Sequence, residues 1–152
     1  MTNHPYLRAY MAGICVPTPL LLVPLTLFFI ARFVYNIPIP VERVIIFPMA
    51  IIPNLFGVWN LLHLATRART GLPLGIHGAI LPFILAPTGF FLGRCLGFLK
   101  TTGHGLIYFG VVDVHYVHLT LVFPVVLIAY YLVWKYLVGF FNRVAGVAVV
   151  KS

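Results

Sequence analysis

The sequence predicts an all-α fold: a four-span transmembrane helical bundle with short loops and proline-kinked helices. Three observations carry that prediction. The chain is 62% hydrophobic and only 8% charged, whereas an ordinary globular domain carries about 25% charged residues. Four apolar stretches reach the length of about 20 residues that a spanning helix needs. The connectors between them are short, so successive helices are antiparallel neighbours. Glu42 and Asp113 are the only 2 acids against 10 Lys plus Arg. A soluble surface cannot be built from so few charges, so most of this surface faces lipid. Residues 1–152 read as one integral-membrane domain, with the bilayer as its principal partner.

The first span runs from about Met11 to Tyr35, with Pro17, Pro19 and Pro24 inside it and Arg32 near its end. It lacks a short apolar run followed by a small-residue cleavage site, so it reads as retained. The second covers about Val44–Thr66, where Asn60 and His63 share a helical face. The third covers about Gly75–Leu99, begins next to His77, and holds the run "GFFLGRCLG". There Gly89, Gly93 and Gly97 recur every four residues, a spacing that lets two helix backbones approach closely. The expectation is a helix-packing face, within the chain or against another copy. The fourth covers about Val112–Leu137. The segment 138–152 then continues that helix or lies along the interface, with Arg143 and Lys151 beside Phe140 and Phe141. Each proline within a span removes a backbone donor. In lipid the freed carbonyl must find a neighbouring helix, a Ser/Thr hydroxyl or water.

The net charge of +8 is no nucleic-acid signature, because the basic residues punctuate apolar segments instead of forming a stripe. Arg8, Arg67, Arg69, Lys135, Arg143 and Lys151 gather on one side, against Arg32, Arg43, Arg94 and Lys100 on the other. The positive-inside rule therefore places both termini in the cytoplasm, in an inner or plasma membrane. Cys15 and Cys95 fall near opposite faces on this topology and should stay unbridged.

The stretch "GVVDVHYVHL", residues 110–119, raises the functional question. If the fourth span centres near Phe123–Pro124, Asp113 lies about 15 Å from the midplane and His118 about 8 Å. His115 and His118 share a helical face; Asp113 joins them only if the helix starts after it. Arg94 comes to a depth of about 9 Å on the preceding helix. A charge inside the bilayer is costly and seeks a partner or water. The expectation is a polar, partly wet cluster of Arg32, Arg94, Asp113, His115 and His118 in the outer half. It would bind or transport a small anionic or lipidic ligand, with Arg94 supplying fixed charge and an imidazole relaying a proton.

Two rival classes stand beside this one. The chain could be an accessory or scaffold subunit of a larger membrane complex, or a homo-oligomer, with the glycine face as its interface. His63 and His77, at matched depth on two arms of one hairpin, are weak candidates for the axial ligands of a haem b in electron transfer. A metal site from His104, Asp113, His115 and His118 is conceivable by residue type, with no recognised spacing. There is no phosphate loop, HExxH helix or nucleophile elbow, which argues against an enzyme.

Overall fold

A computed structural model describes residues 4–38, 47–110 and 112–147. The protein is mostly helical, and among the described residues three helices are long and apolar enough to cross a membrane: Pro5–Phe33, Leu74–Cys95 and Tyr116–Val144. Glu42, Arg43 and the start of the expected second span lie outside the described residues.

Helix α1 is Pro5–Cys15 and α2 is Pro17–Phe33. Both open on a proline at the first helical position, where the missing N–H costs nothing. Val16 between them keeps helical dihedrals (φ −77°, ψ −56°), so the two form one helical run. The first span therefore begins earlier than composition suggested, at Pro5. Helix α3 is Phe47–Thr70, ended by Gly71 at φ 62°, whose N–H returns to the Arg67 carbonyl (2.9 Å). Helix α4 is Leu74–Cys95. It stops short of the expected Leu99 because Gly97 takes φ 75° and the Phe98 N–H bonds back to the Gly93 carbonyl (3.1 Å).

A three-stranded antiparallel sheet follows: β1 Leu99–Thr101, β2 Gly105–Tyr108 and β3 Val112–His115, in that order. The third connector, expected as a plain loop, thus holds strands, and the head of the fourth span, expected as helix from Val112, is strand as far as His115. Leu99 pairs with Tyr108, and Gly105 with His115. The β1–β2 turn is tied by Thr102, whose hydroxyl both donates to the Gly105 carbonyl and accepts from the Gly105 N–H, each at 3.0 Å. Leu99 and Leu106 are buried, while Phe98 stacks on Phe109 (5.3 Å). A small sheet whose ladder is satisfied inside itself closes the end of the α4–α5 hairpin.

Helix α5 is Tyr116–Leu132; a π-helical turn, Val133–Val138, leads directly into α6, Gly139–Val144. The tail thus continues the fourth helix through Val144. Threonines inside the apolar helices fold their hydroxyls onto the carbonyl one turn back: Thr18 to Ile14 (2.8 Å), Thr26 to Leu22 (2.8 Å), Thr88 to Ile84 (2.7 Å) and Thr120 to Tyr116 (3.0 Å). That hides each hydroxyl from lipid. None of these bonds reaches the carbonyl that Pro24, Pro87 or Pro124 leaves open.

The core is small. Val16, Phe56, Leu81, Trp134 and Val138 form it, where α1, α3, α4 and the π turn converge. Along α2 only Pro17 is buried. The α1–α3 contact is close because Gly13 lies on the Phe56 carbonyl oxygen (2.6 Å from an added Cβ) and on the Gly57 Cα (2.8 Å), while Gly57 lies under the Tyr10 ring. Between α4 and the last helical run, Gly75 and Gly78 receive Tyr131 and Trp134. Small residues do set helix approach here, as packing in lipid requires.

Candidate functional site

The outer residues come first, since the sequence singled them out. Helix α5 starts at Tyr116, after Asp113, so Asp113 and His115 sit two apart on β3 and share one face of the strand. The His115 and His118 rings lie 5.9 Å apart, the one direct contact among the five expected residues. Arg32 ends α2 and Arg94 ends α4; both are exposed. Among the described residues neither arginine's side chain, nor that of Asp113, has an ion-pair or hydrogen-bond partner. Of the five, the chain brings only the two imidazoles into contact. No group of three His, Cys, Asp or Glu side chains suited to a metal ion occurs among the described residues, which leaves the His104, Asp113, His115 and His118 set without support.

The glycine run divides into three separate jobs. Gly97 is the left-handed residue that ends α4, Gly93 packs under Phe98 and Leu99 of its own chain, and Gly89 meets nothing within 4 Å. The expected continuous packing face is not formed within the chain.

The interior holds a denser polar set. On α3, Phe56, Trp59, Asn60, His63 and Arg67 recur at helical spacing and make one face. Asn60 is 1% exposed and Asn142 of α6 is 5% exposed. The Asn60 amide donates to the Ala9 carbonyl (2.6 Å) and to Asn142 Oδ1 (2.8 Å), and Asn142 donates back to Asn60 Oδ1 (3.1 Å). One amide pair thereby joins α1, α3 and α6. Tyr10 of α1 adds a hydroxyl donated to Asn54 of α3.

A second reciprocal pair joins α3 to α4. Trp59 donates its indole N–H to the His77 carbonyl (2.9 Å), while His77 Nε2 meets the Trp59 carbonyl (3.0 Å). That contact makes Nε2 the protonated nitrogen of His77. Trp59 stacks on the His77 ring at 4.8 Å; His63 contacts it at 4.9 Å and Trp134 meets it edge-on at 6.1 Å. His63 Nδ1 and Trp134 Nε1 are buried and find no hydrogen-bond partner among the described residues. Each such atom in a lipid-embedded interior costs several kcal/mol if left dry.

This arrangement does not fit haem. Axial imidazoles stand on opposite faces of a porphyrin, but the His63 and His77 rings touch directly, and His77 Nε2 already faces a carbonyl. Sequence reasoning placed Asn60, His63 and His77 near one another and missed Asn142 and Trp134. An amide in an apolar helix was the available signal for Asn142. Trp134 had no such signal, because the π turn decides which way it points.

What the fold defines is a class: a mostly helical chain with helices suited to a bilayer and a buried amide–imidazole–indole interior. No family model, no curated protein and no solved structure matches the chain.

Proposed function

We propose that this is a four-span integral membrane protein, with both termini cytoplasmic, that binds or transports a small oxyanion ligand at its outer boundary. Helix α3 supplies the remaining span: its 24 residues would extend about 36 Å. The observation that carries the ligand reading is the state of Arg32 and Arg94. Each closes an apolar helix, exposed, without an acceptor among the described residues, at the same end as the His115–His118 pair. Guanidinium forks favour carboxylate and phosphate oxygens, which are abundant at a headgroup boundary. Arg94 holds the anion, and the imidazoles donate to it or relay a proton.

Thermal unfolding of the detergent-purified protein, titrated with phosphatidylglycerol and separately with inorganic phosphate, tests this. Stabilisation by the lipid alone marks a headgroup ligand; stabilisation by phosphate marks a free anion. In either case Arg94→Ala and His118→Ala should lose the response while staying folded. The same midpoint shift in wild type and both variants, or no shift at all, rejects the site.

A second reading, a subunit of a larger membrane complex, is favoured by α2 and by Gly89. Along α2 only Pro17 is buried, and Gly89 is open to a foreign helix. Purification in mild detergent separates the two: a subunit brings partners in fixed ratio, whereas a self-sufficient binder runs alone or as a homo-oligomer.

A further inference from the structure

The strongest unassigned feature lies at the other end of the bundle from the arginines. Trp134 is fully buried, yet its indole N–H finds no acceptor among the described residues. The same holds for Nδ1 of His63. Both side chains contact one ring, that of His77. His77 is occupied on its own account by Trp59. None of these bonds serves either open atom.

The backbone at Trp134 adds an independent observation. It lies in the π-helical turn Val133–Val138, inside an otherwise α-helical run. Such turns are rare and concentrate at functional sites, since the wider turn is less favourable than the α-helix it interrupts. Here the turn seats the indole against Gly78, where any side chain would collide with it. An apolar residue would fill the same space without an open N–H. A tryptophan held this way has a use for its donor.

The geometry points to a small hydroxyl-binding site in the inner half of the bundle, centred on Trp134 Nε1 and His63 Nδ1. Its ligand is an uncharged hydroxyl, either water or the head of a small alcohol. A hydroxyl oxygen accepts from the indole, and its hydrogen serves an imidazole nitrogen. The walls are aromatic: Trp59, His77 and Phe56, whose ring lies tilted 5.4 Å from that of Trp134. The aromatic walls carry no formal charge, which suits a neutral ligand, while the Arg67 guanidinium acts on the His63 imidazole from one turn away. Arg67, one turn beyond His63 on the same α3 face, marks the inward approach. This site is independent of the oxyanion reading at the outer end, and either can fail alone.

The experiment uses the full chain in detergent micelles with nitrogen-15 in its tryptophans. The protein holds 2 tryptophans, so two indole signals appear, assigned with Trp59→Phe. The Trp59 N–H is held by the His77 carbonyl and acts as an internal reference. The Trp134 signal should show cross-relaxation with water, or should shift on titration with 1-propanol while Trp59 stays still. The first result identifies water as occupant and the second an alcohol. In His63→Leu the Trp134 signal should move and the Trp59 signal should not. A Trp134 indole with neither water contact nor propanol response, unmoved by His63→Leu, would overturn the site. The wild-type spectrum alone decides this if the variant does not fold.

Discussion

Asn60 and Asn142, 82 residues apart, exchange amide hydrogen bonds at 2.8 and 3.1 Å inside the protein. This pair, with the bond from Asn60 to the Ala9 carbonyl, ties the chain's first and last described helices to α3. In water such a bond competes with solvent; in an apolar interior an abandoned amide has no alternative.

Asn60→Leu should therefore destabilise the protein by about 1–3 kcal/mol, because it strands the Asn142 amide. Asn142→Leu should cost less, since Asn60 keeps its bond to Ala9. The double variant should lose less than the sum, with a coupling of about 1 kcal/mol, in the range found for interhelical hydrogen bonds in membranes. Unfolding midpoints of the four proteins in one detergent give the cycle. Strict additivity would show that the pair does no more than fill space.

Gly78→Ala should be among the most damaging single-methyl additions. The added Cβ overlaps the Trp134 side chain, which is 0% exposed and hemmed in by the core. Overpacking of this kind costs about 1–3 kcal/mol. Gly89→Ala is the control: nothing stands within 4 Å, and alanine is the better helix former by up to about 1 kcal/mol. Its midpoint should hold or rise. If Gly89→Ala instead breaks a native assembly on size exclusion, that glycine meets another chain.

The Trp59–His77 bridge should prove milder than the amide pair. Both carbonyls it uses belong to helices and keep their backbone partners, so Trp59→Phe removes one donor without stranding an acceptor. A loss of about 0.5–1.5 kcal/mol is expected. His77→Phe should fall in the same range. A loss as large as that of Asn60→Leu would mean that the ring stack, not the bonds, sets the α3–α4 contact.

Cys15 and Cys95 are both free and exposed. Cys95 ends α4, the end that the proposed topology puts outside. In right-side-out vesicles a membrane-impermeant maleimide should label the protein once, and Cys95→Ser should abolish the label. Oxidation should form no bridge between the two. Labelling that requires inside-out vesicles would reverse the orientation and move the proposed oxyanion site to the cytoplasmic face.

The sheet shows why part of the structure was illegible. Its strands are three or four residues long, and "KTTGHGLIYFG" reads as a connector because no alternation lasts long enough to register. What reveals it is the pairing of Leu99 with Tyr108 and of Gly105 with His115, a relation between segments. The glycine run failed in the opposite way. Its spacing is a true small-residue pattern, but Gly97 takes φ 75° and ends the helix, so the face it implied is cut short. The pairing of Gly13 with Gly57 is not legible in the sequence, because each looks ordinary in its own helix.

The sequence by itself determined that the chain is mostly helical and that its helices include ones long and apolar enough to cross a membrane. Apolarity and the near absence of charge are sums over residues, and a sum needs no knowledge of which segment meets which. It also placed Asn60, His63 and His77 close together, since one helical face and one short hairpin suffice for that. Only the tertiary structure decided that Asn142 returns to Asn60, that Trp134 turns into the core on a π turn, and that Arg94 and Asp113 stay apart. Those are outcomes of packing, set by which backbones can approach and which polar atoms must then be satisfied, and they depend on pairs of distant residues that no local pattern records.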